Sequence, residues 1–152
     1  AMVSALKPVG EASGDLIGLR ERLLDVMWHD VGVIRVGVGL QRGAAVLREL
    51  EAELMQTGLG QTDLRFNLTW HDWLNLESQI SVSKAITQAA LQRENSRGAH
   101  YREDFASEGD YATSRYTVVY DEGGRITVGD EAVDFSIVSP GDSLIDADSS
   151  AA

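Results

Sequence analysis

Cysteine is missing altogether from these 152 residues. That excludes a disulfide framework, a thiolate zinc site, an iron–sulfur cluster held by this chain and a cysteine nucleophile. No apolar run approaches the ~20 residues that cross a bilayer, so no membrane span is expected. Positive charge is scarce: 13 Lys and Arg face 24 Asp and Glu, for a net charge of −11. A nucleic-acid surface needs a basic face, so nucleic acid is not an expected partner. Histidine occurs only as His29, His71 and His100. None has a second ligand at a spacing such as H-x-x-x-H, so no metal site is expected. The start shows no signal-peptide pattern, and a cytoplasmic location is expected.

What remains is ordinary globular material. Hydrophobic residues make up 43% of the chain, and a chain of this size buries roughly two thirds of its unfolded surface in one core. Leu16, Leu19, Leu23 and Met27 recur at three- and four-residue steps, which predicts a helix over 14–30 with Ser13 as its cap and Asp15 in its first turn. Leu40, Ala44, Leu47, Leu50 and Leu54 predict a second helix over 40–57, ended by Gly58 and Gly60. A third is predicted from a capping box at Thr69 and Asp72 to residue 93, with Leu76, Ile80, Ile86, Ala89 and Ala90 inward and Ser83 and Lys84 interrupting the stripe. The period then changes. SRYTVVYDEGGRITV, residues 114–128, is two β-rich runs around Asp121-Glu122-Gly123-Gly124, a hairpin signature.

Three helices with one apolar face each can bury those faces against one another. The expected fold is mainly α: an antiparallel three-helix bundle (spectrin-repeat-like), then an extended loop and a β-hairpin. The expected divisions are a flexible N-terminal segment over 1–12, the bundle over 13–93, a docking loop and hairpin over 94–135, and a flexible tail over 136–152.

Most chemistry-bearing motifs dissolve on inspection. VIRVGVGLQRG, residues 33–43, imitates a dinucleotide-binding turn, but Gly43 stands one place late for G-x-G-x-x-G and no second strand follows. It reads as a glycine-rich interhelical loop. Trp28, Trp70 and Trp73 sit at helix ends and read as packing residues whose indole N–H finds an acceptor. The acid pair Glu103-Asp104 could serve general acid–base work, yet without a cleft it reads as solvated.

RENSRGAHYREDF, residues 93–105, resists that treatment. Three arginines and a histidine crowd around Ser96, Gly98 and Ala99 in an otherwise acidic chain. Gly98 and Ala99 permit close backbone approach. Arg97 and Arg102 offer rigid forks suited to carboxylates or carbonyls. The combination predicts a segment docked on another surface.

The same stretch resembles R-x-E-S-R-G-A-H-x-R-x-D-[FY], a signature of the succinate dehydrogenase and fumarate reductase flavoproteins with relatives in L-aspartate oxidase; Asn95 is a departure. LRERLLDVMWHDVGVIR, residues 19–35, is similar to that family's first C-terminal helix, L-R-x-x-L-x-x-x-M-W-x-x-V-G-[IV]-x-R. SRYTVVYDEGGRITV is similar to its hairpin, although Glu131–Phe135 replaces the Arg-Pro-Val run that follows there. The resemblance implies the C-terminal helical domain of an FAD-dependent dicarboxylate oxidoreductase: a structural support on the flavin domain, inactive by itself. It implies no cofactor in this chain, with FAD in the parent flavoprotein. It also implies two partners, the parent's FAD-binding domain and an iron–sulfur subunit, and a domain interface at Arg97, Gly98, His100, Tyr101, Arg102 and Asp104. Freed of that partner, the segment would be mobile or satisfied by self-association. A free-standing helical protein-interaction module sharing the fold is the alternative.

Overall fold

The computed structural model describes residues 14–59, 65–140 and 142. The expected flexible segment over 1–12 lies outside them, as does most of the expected tail, residues 141 and 143–152.

The first helix, α1, spans Leu16–His29 and buries Leu16, Leu19, Leu23 and Val26. Its cap is Asp15, whose Oδ1 accepts from the Gly18 N–H at 2.8 Å. The expected cap, Ser13, lies outside the described residues. The second helix, α2, spans Gly37–Gln56 and so begins three residues before Leu40. Of the stretch read as an interhelical loop, Ile34–Arg35 is a short strand and Gly37, Gly39 and Gly43 lie in the first two turns of the helix. Its small residues suit a tight packing place: a Cβ on Gly43 would stand 3.0 Å from Val31 Cγ2 and 3.3 Å from Asp30 Cβ.

The third helix, α3, spans Leu68–Gln92. No capping box forms at Thr69 and Asp72. Asn67 caps instead, accepting from the Trp70 N–H at 2.9 Å, and Asp72 pairs across to Arg20 at 3.3 Å. Its buried stripe is Trp73, Leu76, Ile80, Ser83, Thr87 and Ala90. Ser83 and Thr87 continue the stripe because the Thr87 hydroxyl donates to the Ser83 carbonyl at 2.8 Å and needs no water. Ile86, expected inside, is 43% exposed.

Cross-helix contacts fix how the three lie together. Arg22, midway along α1, meets Glu53, late in α2, at 2.6 Å. Trp73, early in α3, donates from Nε1 to the Leu54 carbonyl, late in α2, at 3.2 Å. At the other end Leu40 and Ala90 share a small core with Val31. The larger core joins all three helices through Leu23, Leu47, Leu50, Trp73 and Leu76.

Two short β elements complete the chain. Strand β1, Ile34–Arg35, pairs in parallel with β2, Tyr101–Arg102, with Ile34 opposite Tyr101 and Arg35 opposite Arg102. A 3₁₀ turn, Glu103–Phe105, follows. Strands β3, Arg115–Asp121, and β4, Ile126–Ala132, form an antiparallel pair closed at Asp121–Ile126. Gly123 and Gly124 take φ of 69° and 92° there, and Gly124 N–H donates to Asp121 Oδ1 at 2.6 Å. A lone hairpin is marginal. This one leans on α3, where Gln92 Nε2 donates to Asp130 Oδ2 at 3.2 Å.

Candidate functional site

The segment after α3 folds around Ser96. That side chain is buried; its Oγ accepts from the Arg102 N–H at 2.9 Å and donates to the Phe105 carbonyl at 2.9 Å. Its own N–H donates to the Ser107 carbonyl at 2.9 Å. One small hydroxyl thus gathers the chain from 96 to 107. Between lies a tight turn: Arg97 and His100 exchange backbone hydrogen bonds of 2.9 and 3.1 Å. Gly98 supplies φ 57°, with no atom near its would-be Cβ, so conformation and not crowding calls for glycine.

Arg102 is 3% exposed. Its Nε and Nη2 donate to the two carboxylate oxygens of Asp104, each at 2.8 Å. Its Nη1 donates to the Ala90 carbonyl at 2.8 Å and lies 3.4 Å from those of Leu91 and Arg93. The guanidinium therefore caps the C-terminal, partially negative end of α3. Asp104 Oδ2 also accepts from the Gly37 N–H at 2.8 Å, at the partially positive start of α2, whose N-cap Val36 has no side-chain acceptor to give. One ion pair thus joins two helix ends, each charge at the end that favours it. The phenyl ring of Phe105 packs beneath the guanidinium, 4.9 Å from centroid to Cζ.

Arg97 is spent on its own chain as well. Nη1 donates to Ser114 Oγ at 2.5 Å, Nη2 to the Asp110 carbonyl at 2.8 Å and Nε to the Glu108 carbonyl, with the Tyr111 ring beneath. His100 bridges Arg35 Nη1, 3.1 Å from Nδ1, and the Arg93 carbonyl, 3.2 Å from Nε2. As the neutral tautomer, Nε2–H donates to the carbonyl and Nδ1 accepts from the guanidinium.

Arg97, His100, Arg102 and Asp104 are thus brought together, but their polar groups point into the chain. Sequence reasoning reserved the two arginines for another surface. A local sequence shows a fork without showing whose oxygens fill it. Gly98 and Tyr101 remain at the surface, Tyr101 being 40% exposed. Around the β1–β2 pair stand Trp28, Val33, Ile34 and Val38, each between 68% and 76% exposed. The reading missed Ser96 as an organiser and Arg35 as the partner of His100, although Arg35 closes the first family motif.

Burial lowers the His100 pKa from its ordinary 6.5, opposed by the hydrogen bond to Arg93 and aided by the charges of Arg93, Arg35 and Arg102. The hydrogen bond from Arg102 holds the Asp104 carboxyl well below its ordinary 3.8. Asp104 is therefore locked as a carboxylate, a poor general acid or base near neutrality. In each case the unfolded chain takes up the proton first as pH falls. Stability should be intact at neutral pH, decline below about 6.5 and fall again below about 3.8. Denaturant midpoints measured along that range test this, and Asp104→Asn should erase the lower step alone.

No group of three or more His, Asp or Glu side chains suited to a metal occurs among the described residues. The glycine turn does not fit the phosphates of a flavin dinucleotide. Gly37 N–H is already committed to Asp104, and a Cβ there would stand 2.9 Å from that carboxylate. No helix among the described residues is long and apolar enough to cross a membrane.

Comparison with known proteins agrees with this architecture. A family model described as the C-terminal part of fumarate reductase flavoproteins matches residues 20–144. The succinate dehydrogenase flavoprotein subunit of Coxiella burnetii is 32% identical over 105 residues, covering 69% of this chain and 18% of that protein. The 8-methylmenaquinol:fumarate reductase flavoprotein subunit of Wolinella succinogenes is 28% identical over 131 residues, covering 84% and 21%. A structure of E. coli quinol fumarate reductase superposes with a TM-score of 0.78 at 20% identity, covering 86% of this chain and 23% of that one. This chain thus spans about a fifth of each of the three.

Proposed function

Since the chain belongs to the fumarate reductase flavoprotein C-terminal family, we propose that it buttresses an FAD-dependent oxidoreductase of the succinate dehydrogenase/fumarate reductase type. In this reading the flavin and the dicarboxylate are held by the larger part of the parent flavoprotein. This chain alone turns over nothing. Residues 13–93 act as a spectrin-repeat-like prop, and 94–135 as the docking loop and hairpin. The parent works in the cytoplasm beside an iron–sulfur subunit.

The observation that carries the reading is a rigid strap with an apolar edge. His100, Arg102 and Asp104 fasten the strap to the helix ends, and Arg97 ties it to the loop before β3. Gly98 and Tyr101 are left outward, beside the exposed Ile34 and Val33. The six-residue interface divides accordingly: Gly98 and Tyr101 touch the flavin domain, and the four charged or imidazole groups hold them in position. Apolar side chains this exposed mark a surface that another body covers.

Mixed with the flavin-binding portion of its parent, the chain should restore succinate oxidation or fumarate reduction. Tyr101→Asp should cut that reconstitution at least tenfold while its circular dichroism stays unchanged, since an unpaired charge would be buried. Undiminished reconstitution by Tyr101→Asp refutes the interface. Failure of the unaltered chain to associate at all favours the interaction-module alternative.

A further inference from the structure

Four guanidinium groups of this acidic chain border one cleft, and none of them forms an ion pair with a described carboxylate. A cleft of about 540 Å³ opens where the end of α3 meets the hairpin, lined in part by Arg35, Arg93, Arg97, His100, Ser114 and Arg115. Among the described residues no Asp or Glu lines it, while Glu94, Asp110 and Asp130 line a neighbouring cleft that Arg93, Arg97 and Arg115 also border. Arg20, Arg22, Arg42, Lys84 and Arg102 each have a carboxylate within 4.0 Å. Among the described residues, no such pair involves Arg35, Arg93, Arg97 or Arg115.

The hydrogen bonds show which donors are spare. Arg97 uses all three of its nitrogens on the chain. Arg35 uses Nε on the Val31 carbonyl and Nη1 on His100, leaving Nη2. Arg93 uses only Nε, on Asn95. Arg115 uses only Nη2, on the Asp130 carbonyl. Spare N–H groups thus belong to three residues that line the cleft from β1, from the position after α3 and from β3. Like charges gathered in a half-buried place repel one another in a medium that screens them poorly. The cheapest relief is an anion that several of them share.

We propose that this cleft binds a small oxyanion carrying two or more negative charges. Guanidinium donors from three elements call for several oxygens, and planar forks match carboxylate and phosphate geometry. The cavity lies in the roughly 300–1,000 Å³ range of small-molecule sites, larger than a single carboxylate requires. His100 contacts the Arg35 guanidinium and the Arg93 carbonyl, and no described carboxylate lies within 4.0 Å of its ring nitrogens. A bound anion would supply the missing negative charge and draw a proton onto the imidazole. The site does not depend on docking to a flavin domain.

Calorimetric titration of the whole chain at low salt with citrate, and separately with inorganic phosphate, tests this. At least one should bind saturably at one per chain, and the pair distinguishes carboxylate from phosphate chemistry. Arg93→Gln and Arg115→Gln should each weaken binding roughly tenfold, the loss of about one charged hydrogen bond. Arg48→Gln, outside the cleft, should leave it unchanged. The His100 ring resonances should move saturably with the anion, and its pKa should rise. That readout needs no variant, so it stands even if a substitution unfolds the chain. Failure of both anions to saturate, or binding indifferent to both arginine substitutions, overturns the proposal. A carboxylate from the rest of the parent polypeptide would then be the counter-ion.

Discussion

Arg102→Ala should destabilise the chain by about 3 kcal/mol, the low end for removing one partner of a buried pair because Asp104 is 35% exposed. For a domain of this size that is a fall in Tm of roughly 10 °C. Three losses coincide. The carbonyls of Ala90, Leu91 and Arg93 lose the donor that ends α3. Asp104 keeps Gly37 but loses its fork. Phe105 loses the cation above its ring. Lysine is a point donor and cannot reach a helix end and both carboxylate oxygens together, so Arg102→Lys should recover less than half of the loss. Asp104→Asn takes the counter-ion from the buried guanidinium but should cost less than Arg102→Ala, since Nη1 keeps the Ala90 carbonyl, Phe105 keeps the cation above its ring and the asparagine oxygen can still accept one N–H. Thermal and denaturant melts of the two singles and the double variant give the coupling directly. An Arg102→Ala melt within a degree of the unaltered chain would show that this guanidinium fastens nothing.

How much of this could be read from residues alone differs by element. The stripe of α1 was legible because leucine at three- and four-residue steps has one geometric meaning. The caps were not: Asp15 and Asn67 lie two residues from the places that propensity favoured, since Ser, Thr, Asp and Asn are near-equals and tertiary packing chooses among them. Ser83 and Thr87 looked like a break in α3 because a hydroxyl is polar on paper. Inside, Thr87 returns its proton to its own helix and packs like a small apolar group. The β1–β2 pair joins residues more than sixty apart, and two-residue strands leave no periodic trace. The family motif located the strap and the acidic partner two residues away. Which way the arginines turned depended on the helix-end carbonyls, and those carry no residue code. The anion cleft was hidden for the same reason, since its arginines are scattered from 35 to 115.

The tryptophans give the second large effect, with opposite outcomes three residues apart. Trp73 is 4% exposed and sits where α2 ends against α3. Trp73→Ala should cost about 4 kcal/mol, the usual loss for emptying so large a buried volume. The hydrogen bond is a minor part of that. Leu54 carbonyl, which accepts Trp73 Nε1 at 3.2 Å, also accepts the Thr57 N–H at 3.0 Å and is not orphaned. Trp73→Phe keeps most of the ring and should therefore cost only about 1–2 kcal/mol. Trp70 packs half-buried against the same core, but its buried Nε1 has no partner among the described residues. An unmet buried donor is a standing penalty, so Trp70→Phe should be neutral or stabilise the chain by up to about 1 kcal/mol. Guanidinium melts of the three variants decide it. Equal losses for Trp73→Phe and Trp73→Ala would place the energy in the indole N–H, and a clear loss for Trp70→Phe would show that its nitrogen is satisfied after all.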